Sequence, residues 1–373
     1  FQYTVDFNPS PFGTTIMTAA GCGANGLVMK LDSFAEPYWA RQFDGSSSCY
    51  ANPRSIAVDG NGNVYTTGEF NGTVDFDPGA GVTNLVNSYV QKIASYISKL
   101  NSSGEFVWAY RLGSAYLPGQ VYDGGNSGLA KAKSVAADGS GNVYVVGSFE
   151  GSVDFQHGAG VTTLSSSSSQ REDVFILKLN SSGALVWIGQ IENPGPTKTL
   201  DAHSVAVDGS GNVYISGFVT GGSTVDFDPT EGVANLSMAT GGSHSEIWIL
   251  KLDSAGDYVW AKASSCPGSA GAYRPPGSDR GLAVDDSGNV YAVGSFTQRH
   301  YNDSYDCDFD PGPGEGFAHV GVTPASGLVW KLDSSGNYQW AKAFLKTAPF
   351  DSVEALSVAV DGSGNVYTTG RFL

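Results

Sequence analysis

The sequence predicts an all-β fold of five repeated, four-stranded antiparallel sheets, and three observations carry that reading. The first is a phrase that returns five times: Ser55-Ile-Ala-Val-Asp-Gly-Asn-Gly-Asn-Val-Tyr65 recurs from Ser134, Ser204, Gly281 and Ser357. Its starts lie 79, 70, 77 and 76 residues apart, and the tail 357–373 joined to the head 1–54 makes a further 71. The second is composition: Gly is 50 of 373 residues and charged residues only 15%, the profile of a turn-rich chain rather than a helical one. The third is punctuation, since short apolar runs alternate with clusters of Gly, Ser, Asn and Asp.

The second copy shows each element. Ser134–Asp138 reads as a short apolar strand, and Gly139–Asn142 as a turn of small residues suited to positive φ. Val143–Phe149 follows as a second strand. Val153-Asp-Phe155 opens a polar, Gly-rich loop that reaches about Asp173. Val174–Leu179 is the third strand, Asn180–Gly183 a turn, and Ala184–Gln190 the fourth strand. A four-stranded meander of this size buries too little alone, so the repeats must stack. Strands one to three are nearly continuous apolar runs, as expected where both faces are covered. Radial stacking of such sheets is a five-bladed β-propeller, and internal repetition makes 1–373 one domain despite its length.

The fifth repeat is divided between the two ends. The copy from Ser357 runs to Gly370-Arg371-Phe372-Leu373, and the words that should follow it open the chain as Thr4-Val5-Asp6-Phe7-Asn8-Pro9. Pairing the two half-blades is expected to close the ring and remove two open sheet edges. The phrase A-V-D-G-S-G-N-V-Y-x-x-G-x-F resembles the bacterial β-propeller repeat family usually described as seven-bladed. The resemblance covers nearly the whole chain, with five repeats in place of seven and a Val-Asp-Phe-Asp-Pro-Gly insertion in each. It implies a bacterial, secreted or surface-exposed protein.

Charge and cysteines bound the function. With 20 basic and 36 acidic residues the net charge is −16, which repels phosphate backbones and excludes nucleic acid as an expected partner. Cations, basic surfaces or a saline exterior suit it. No run of 18 apolar residues exists, so no membrane span is expected. The chain begins at Phe1 and is read as a processed product. The four cysteines Cys22, Cys49, Cys266 and Cys307 form no C-x-x-C pair. Local disulfides 22–49 and 266–307 are the preferred pairing, pointing to an oxidising exterior; the other reading is four free buried thiols.

Several motifs carry chemistry. Asp59-Gly-Asn-Gly-Asn63, Asp208-Gly-Ser-Gly-Asn212 and Asp361-Gly-Ser-Gly-Asn365 begin like calcium loops, but Val follows where a calcium loop needs Gly, so they read as hairpin turns. In Val74-Asp75-Phe76-Asp77-Pro78-Gly79 two carboxylates share one strand face. Asp226/Asp228 and Asp308/Asp310 repeat them, while Asp6 and Asp154 are followed by Asn8 and Gln156. Calcium bridging is one reading of these eight aspartates. The favoured one is ion pairing with the recurring lysines Lys30, Lys99, Lys178, Lys251 and Lys331, one to each repeat, or backbone capping. Trp39, Trp108, Trp187, Trp260 and Trp340 hold one position in strand four, a pattern of inter-blade packing. Trp248 and Trp330 read as core.

No catalytic signature is present: the five histidines are scattered, and neither G-x-S-x-G nor a P-loop occurs. Symmetry breaks at 113–133 with Tyr116 and Tyr122, at 264–280 with Tyr273 and Arg274, and at 297–307 with Tyr301 and Tyr305. The expected function is a non-enzymatic extracellular or cell-surface scaffold or binding module. Its partners would be a protein or glycan at the surface, and calcium would stiffen its loops. The alternatives are a glycan-active enzyme with carboxylates at the channel mouth, or a carbohydrate-binding propeller. Termini in mid-blade also allow one molecule to complete the last blade of the next, building a filament.

Overall fold

The computed structural model describes residues 3–8, 14–18, 25–45, 49–87, 93–113, 128–156, 160–168, 171–195, 199–220, 222, 224–238, 245–265, 270–272, 281–298, 306–310, 316–319, 326–344 and 353–372. Every regular element among them is a strand. The chain divides into two compact units: Phe1–Val145 with Phe149–Gln170 and Lys178–Val186, and Val146–Ser148 with Arg171–Leu177 and Trp187–Leu373.

The third repeat displays the expected meander. Leu200–Val207, Val213–Thr220, Ser245–Leu252 and Tyr258–Ala263 form one sheet in that order. Leu129–Ala137, Val143–Glu150, Asp173–Leu179 and Leu185–Ile191 form the corresponding sheet of the second repeat. Val213–Thr220 is buried along almost its whole length, as its apolar sequence requires. Register is held by the repeat itself. Val213 lies opposite Leu252 and Tyr214 opposite Lys251, Val64 opposite Leu100 and Tyr65 opposite Lys99, and Val290 opposite Leu332 and Tyr291 opposite Lys331. The strand-four tryptophan then pairs with the same lysine, and a bulge follows between that lysine and the next leucine.

Two elements differ from the sequence expectation. The first strand of the second repeat begins at Leu129, not Ser134. In sister repeats a bulge at Pro53/Ser55, Ala202/Ser204 and Ala355/Ser357 lets the strand run on through polar residues. The stretch after the second strand is a small β-hairpin rather than a loop. It pairs Thr4–Asp6 with Ile16–Thr18, Ser152–Asp154 with Thr163–Ser165, Thr224–Asp226 with Asn235–Ser237, and Asp306–Asp308 with Phe317–His319. In the first repeat the long strand Val64–Asp75 itself continues to pair with Asn84–Asn87.

The half-repeats stand in different sheets. Val353–Val360 and Val366–Phe372 form a two-stranded sheet, while Gly26–Leu31 and Pro37–Gly45 belong to the seven-stranded sheet around Val64–Asp75. Each unit has its own core. In the first, Phe43, Phe70, Phe76 and Tyr96 pack with Val28, Val64 and Leu100. In the second, Trp260 and Trp330 pack with Ile247, Ile249, Leu328 and Phe309. Trp248 and Trp330 are fully buried, as expected.

Candidate functional site

The hairpin aspartates act on the backbone. Asp75 Oδ1 accepts the amides of Asp77 at 3.0 Å and Thr83 at 2.8 Å. Asp154 does the same for Gln156 and Thr162, Asp226 for Asp228 and Ala234, Asp308 for Asp310 and Gly316, and Asp6 for Asn8 and Thr15. One carboxylate oxygen thus ties both arms of every hairpin. The second residue of the motif does less: Asp77 accepts the Gly79 amide and Asp228 the Thr230 amide, so Asn8 or Gln156 can replace it. The phenylalanine between them anchors the hairpin, Phe76 against Tyr96 and Phe227 against Trp248.

Calcium takes six to eight oxygens. A hairpin offers at most two carboxylates, and the first has given one oxygen to two amide donors. Among the described residues no group of three or more His, Cys, Asp or Glu side chains is placed to hold a metal ion.

The recurring lysines have other neighbours than the hairpin aspartates. Lys99, Lys178, Lys251 and Lys331 stand over the rings of Tyr65, Tyr144, Tyr214 and Tyr291 at about 5 Å. Lys99 Nζ donates to the Ser181 carbonyl at 2.8 Å and Lys251 Nζ to the Ser334 carbonyl at 2.9 Å. These carbonyls lie in the strand-three to strand-four turn of the following repeat. The tryptophans reach the same turns: Trp39 Nε1 donates to Ser102, Trp108 to Ser181, Trp187 to Ser254 and Trp260 to Ser334. Inter-repeat packing is therefore the role of these four indoles.

The same tyrosines close the hairpin turns. Asp59 Oδ1 accepts the Asn61 and Asn63 amides, and its Oδ2 accepts Asn63 Nδ2 and the Tyr65 hydroxyl. Asp138, Asp208, Asp285 and Asp361 repeat that set. Burial opposes ionisation of Asp59, Asp208 and Asp285, but the hydrogen bonds from Asn and Tyr outweigh it and hold these carboxyls below the ordinary aspartate value. Burial, reinforced by the aspartate, pushes the Tyr65 and Tyr214 hydroxyls upward. Burial lowers Lys99, and Asp59 partly offsets this. Sequence reasoning took the aspartates as turn residues and missed their link to tyrosine and lysine. The fixed spacing of Asp, Asn and Tyr in every copy was the available signal.

Cys49 and Cys307 are each disulfide-bonded, which removes the free-thiol reading for both. Cys22, Cys266 and the loop residues Tyr116, Tyr122, Tyr273, Arg274, Tyr301 and Tyr305 lie outside the described residues. Three strand carboxylates have partners inside their own repeats: Glu69 with Arg54, Asp201 with His203, and Glu354 with Arg371.

A family model described as a beta-propeller repeat matches residues 39–74 and 186–217. Each match runs from strand four of one repeat through strand two of the next, and includes Trp39 or Trp187. An uncharacterized WD repeat-containing protein of Acanthamoeba polyphaga mimivirus is 24% identical over 254 residues, 62% of this chain and 18% of that protein. This chain therefore spans less than a fifth of that relative's length. The crystal structure of a protein of unknown function from Bacteroides caccae covers 86% of this chain and 99% of its own at 10% identity, with a TM-score of 0.30.

Proposed function

We propose that this chain, which carries β-propeller repeats, is a non-enzymatic scaffold or binding module that works outside the cell. One observation carries the reading: the polar side chains that recur in every repeat are consumed by the framework. Hairpin aspartates hold hairpins, turn aspartates hold turns and tyrosines, and lysines and tryptophans fasten the next repeat. Recognition then falls to the segments that do not recur, 113–133, 264–280 and 297–307.

The net charge of −16 suits a saline exterior and basic partners. The disulfides at Cys49 and Cys307 suit an oxidising one. We assign the pairings Cys22–Cys49 and Cys266–Cys307. For the second there is a geometric reason. Ser265 and Asp308 exchange both backbone hydrogen bonds at 2.8 Å in an antiparallel bridge. Each of these two residues is the chain neighbour of one of the cysteines assigned to this pairing. In the same reading Val366–Phe372 takes a strand with the sequence of Gly26–Leu31 as its third strand, giving a fifth blade.

The test is to offer the purified protein to a panel of surface polysaccharides and extracellular proteins, recording both retention and product release. Retention without release of reducing ends is the expected result. Turnover of any glycan would overturn the non-enzymatic reading.

A further inference from the structure

In two repeats the chain that follows strand four lends its backbone to the small hairpin of the next repeat. Asp44 lies opposite Asp75 and Gly45 opposite Val74, and Ser265 exchanges both backbone hydrogen bonds with Asp308. Asp44 and Ser265 each stand five residues after a strand-four tryptophan, Trp39 or Trp260, and Glu192 holds that place after Trp187. Here the contact is missing, although residues 187–195 and both arms of the hairpin, Thr224–Asp226 and Asn235–Ser237, are described and belong to one compact unit. Among the described residues no bridge or backbone hydrogen bond joins Glu192 to Asp226. The chain is tied to its own repeat instead. Gln190 Nε2 donates to Asp173 Oδ2 at 2.8 Å, the Asn193 amide to Asp173 Oδ1 at 3.0 Å, and Arg171 to the Gly195 carbonyl.

The third-repeat hairpin therefore keeps an open edge. The Phe227 amide donates to the Ala234 carbonyl at 3.1 Å, as the Phe309 amide does to Gly316, so the two hairpins share one hydrogen-bond phase. In that phase the amide and carbonyl of Asp308 point out of the hairpin to Ser265. Those of Asp226, and of Thr224 two residues back, point the same way. Among the described residues the backbone of Asp226 has no partner on that side, and its Oδ1 is engaged by the Asp228 and Ala234 amides. Thr224 is exposed where Thr73, in the covered hairpin, is half-buried. The edge is flanked by acid: residues 224–238 include Asp226, Asp228 and Glu231 and no Lys or Arg. Val233, on the same hairpin, is 73% exposed.

We propose that the Thr224–Asp226 edge accepts an extended, positively charged segment of a partner protein as an added strand. What fills the matching place in the first and fourth repeats is extended backbone, so the ladder hydrogen bonds supply the affinity. The acidic flank, in a chain of net charge −16, favours Lys and Arg in the incoming segment over Asp and Glu. Val233 offers an apolar contact to their stems. The edge lies outside 113–133, 264–280 and 297–307, so it stands whether or not those segments recognise anything.

Amide exchange resolved to single residues, with and without a labelled peptide, tests it on the unmodified protein. In the free protein the Asp226 amide is expected to exchange about tenfold or more faster than the Asp308 amide, which is bonded to Ser265. Equal protection of the two would mean that the chain's own residues fill the edge, and would overturn the proposal. The probe is a short peptide alternating Lys with Val and Thr. It is expected to bind, to slow exchange at Thr224 and Asp226, and to leave Asp308 unchanged. Two counterparts are expected to bind about tenfold or more weaker. One carries Glu in place of Lys; the other is fully N-methylated, keeping the charge but donating no ladder hydrogen bond. No binding of the Lys peptide, binding that leaves Thr224 and Asp226 unprotected, or equal binding of either counterpart would each overturn the proposal.

Discussion

At the scale of single residues, the aspartates decide how the backbone turns. Asp75 gives one oxygen to two amides on opposite arms of the hairpin, and hydrogen bonds to a charged group contribute about 1.5–3 kcal/mol each. Asp75→Ala is expected to lower unfolding free energy by about 2–3 kcal/mol, read by urea denaturation. Asp75→Asn, which keeps an acceptor oxygen, should lose less. A chelator should leave the melting temperature of the unmodified protein unchanged, because the carboxylate serves amides; a fall would revive the calcium reading. The turn aspartates add a pH dependence. Hydrogen bonds depress Asp59, Asp208 and Asp285 in the folded state against the opposing effect of burial. Stability from them is therefore full above the ordinary value of 3.8 and is lost as pH falls through the lower folded values. The melting temperature should drop steeply below about pH 4, and Asp208→Asn should flatten that drop. That the first hairpin aspartate recurs five times while the second varies was legible in the sequence. Its partners were not, because an amide donor leaves no mark in residue identity.

At the scale of elements, the strand-three to strand-four turn is the fastener between repeats. Gly104, Gly183, Gly256 and Gly336 have positive φ, and a Cβ there would lie 2.8 to 3.2 Å from the rings of Trp39, Trp108, Trp187 and Trp260. The fifth turn carries Ala35 at φ 64°, a conformation that costs a non-glycine residue about 1–2 kcal/mol. Gly183→Ala should therefore destabilise by about 1–3 kcal/mol. Ala35→Gly should raise stability by up to about 1 kcal/mol. Gly362→Ala is the control, since nothing lies within 4 Å of its Cβ position. Thermal melts of the three variants check the order, and equal losses at Gly183 and Gly362 would dismiss the fastener. Apolar runs and Gly-Asn turns placed strands two, three and four within a residue or so. They missed the hairpin Ser152–Asp154 with Thr163–Ser165, because three-residue strands of Ser, Thr and Asp show no apolar period. They also cut the first strand short, because it runs on through Lys131 and Lys133, which interrupt the apolar run.

At the scale of the whole molecule, repetition makes each repeat depend on its neighbours, and local loss is expected to stay local. The cysteines test this. Cys307 stands where Val74, Val153 and Val225 stand in sister hairpins, and like them it is buried. A bridge from Cys266 would tie the hairpin of the fourth repeat to the strand Tyr258–Ala263 of the third, close to the Ser265–Asp308 bridge. In chain-entropy terms, closing a loop of this length contributes about 3–4 kcal/mol. Non-reducing peptide mapping should return 22–49 and 266–307, and any crossed pair would sink the assignment. Cys266→Ser with Cys307→Ser should speed amide exchange in the third and fourth repeats first. Val64–Asp75 and Ala94–Leu100 of the first repeat, stapled through Cys49 and held by the Phe76–Tyr96 cluster, should retain their protection. Uniform loss across all repeats would instead mean that the sheets unfold as one cooperative body, and that the inter-repeat fasteners outweigh the staples.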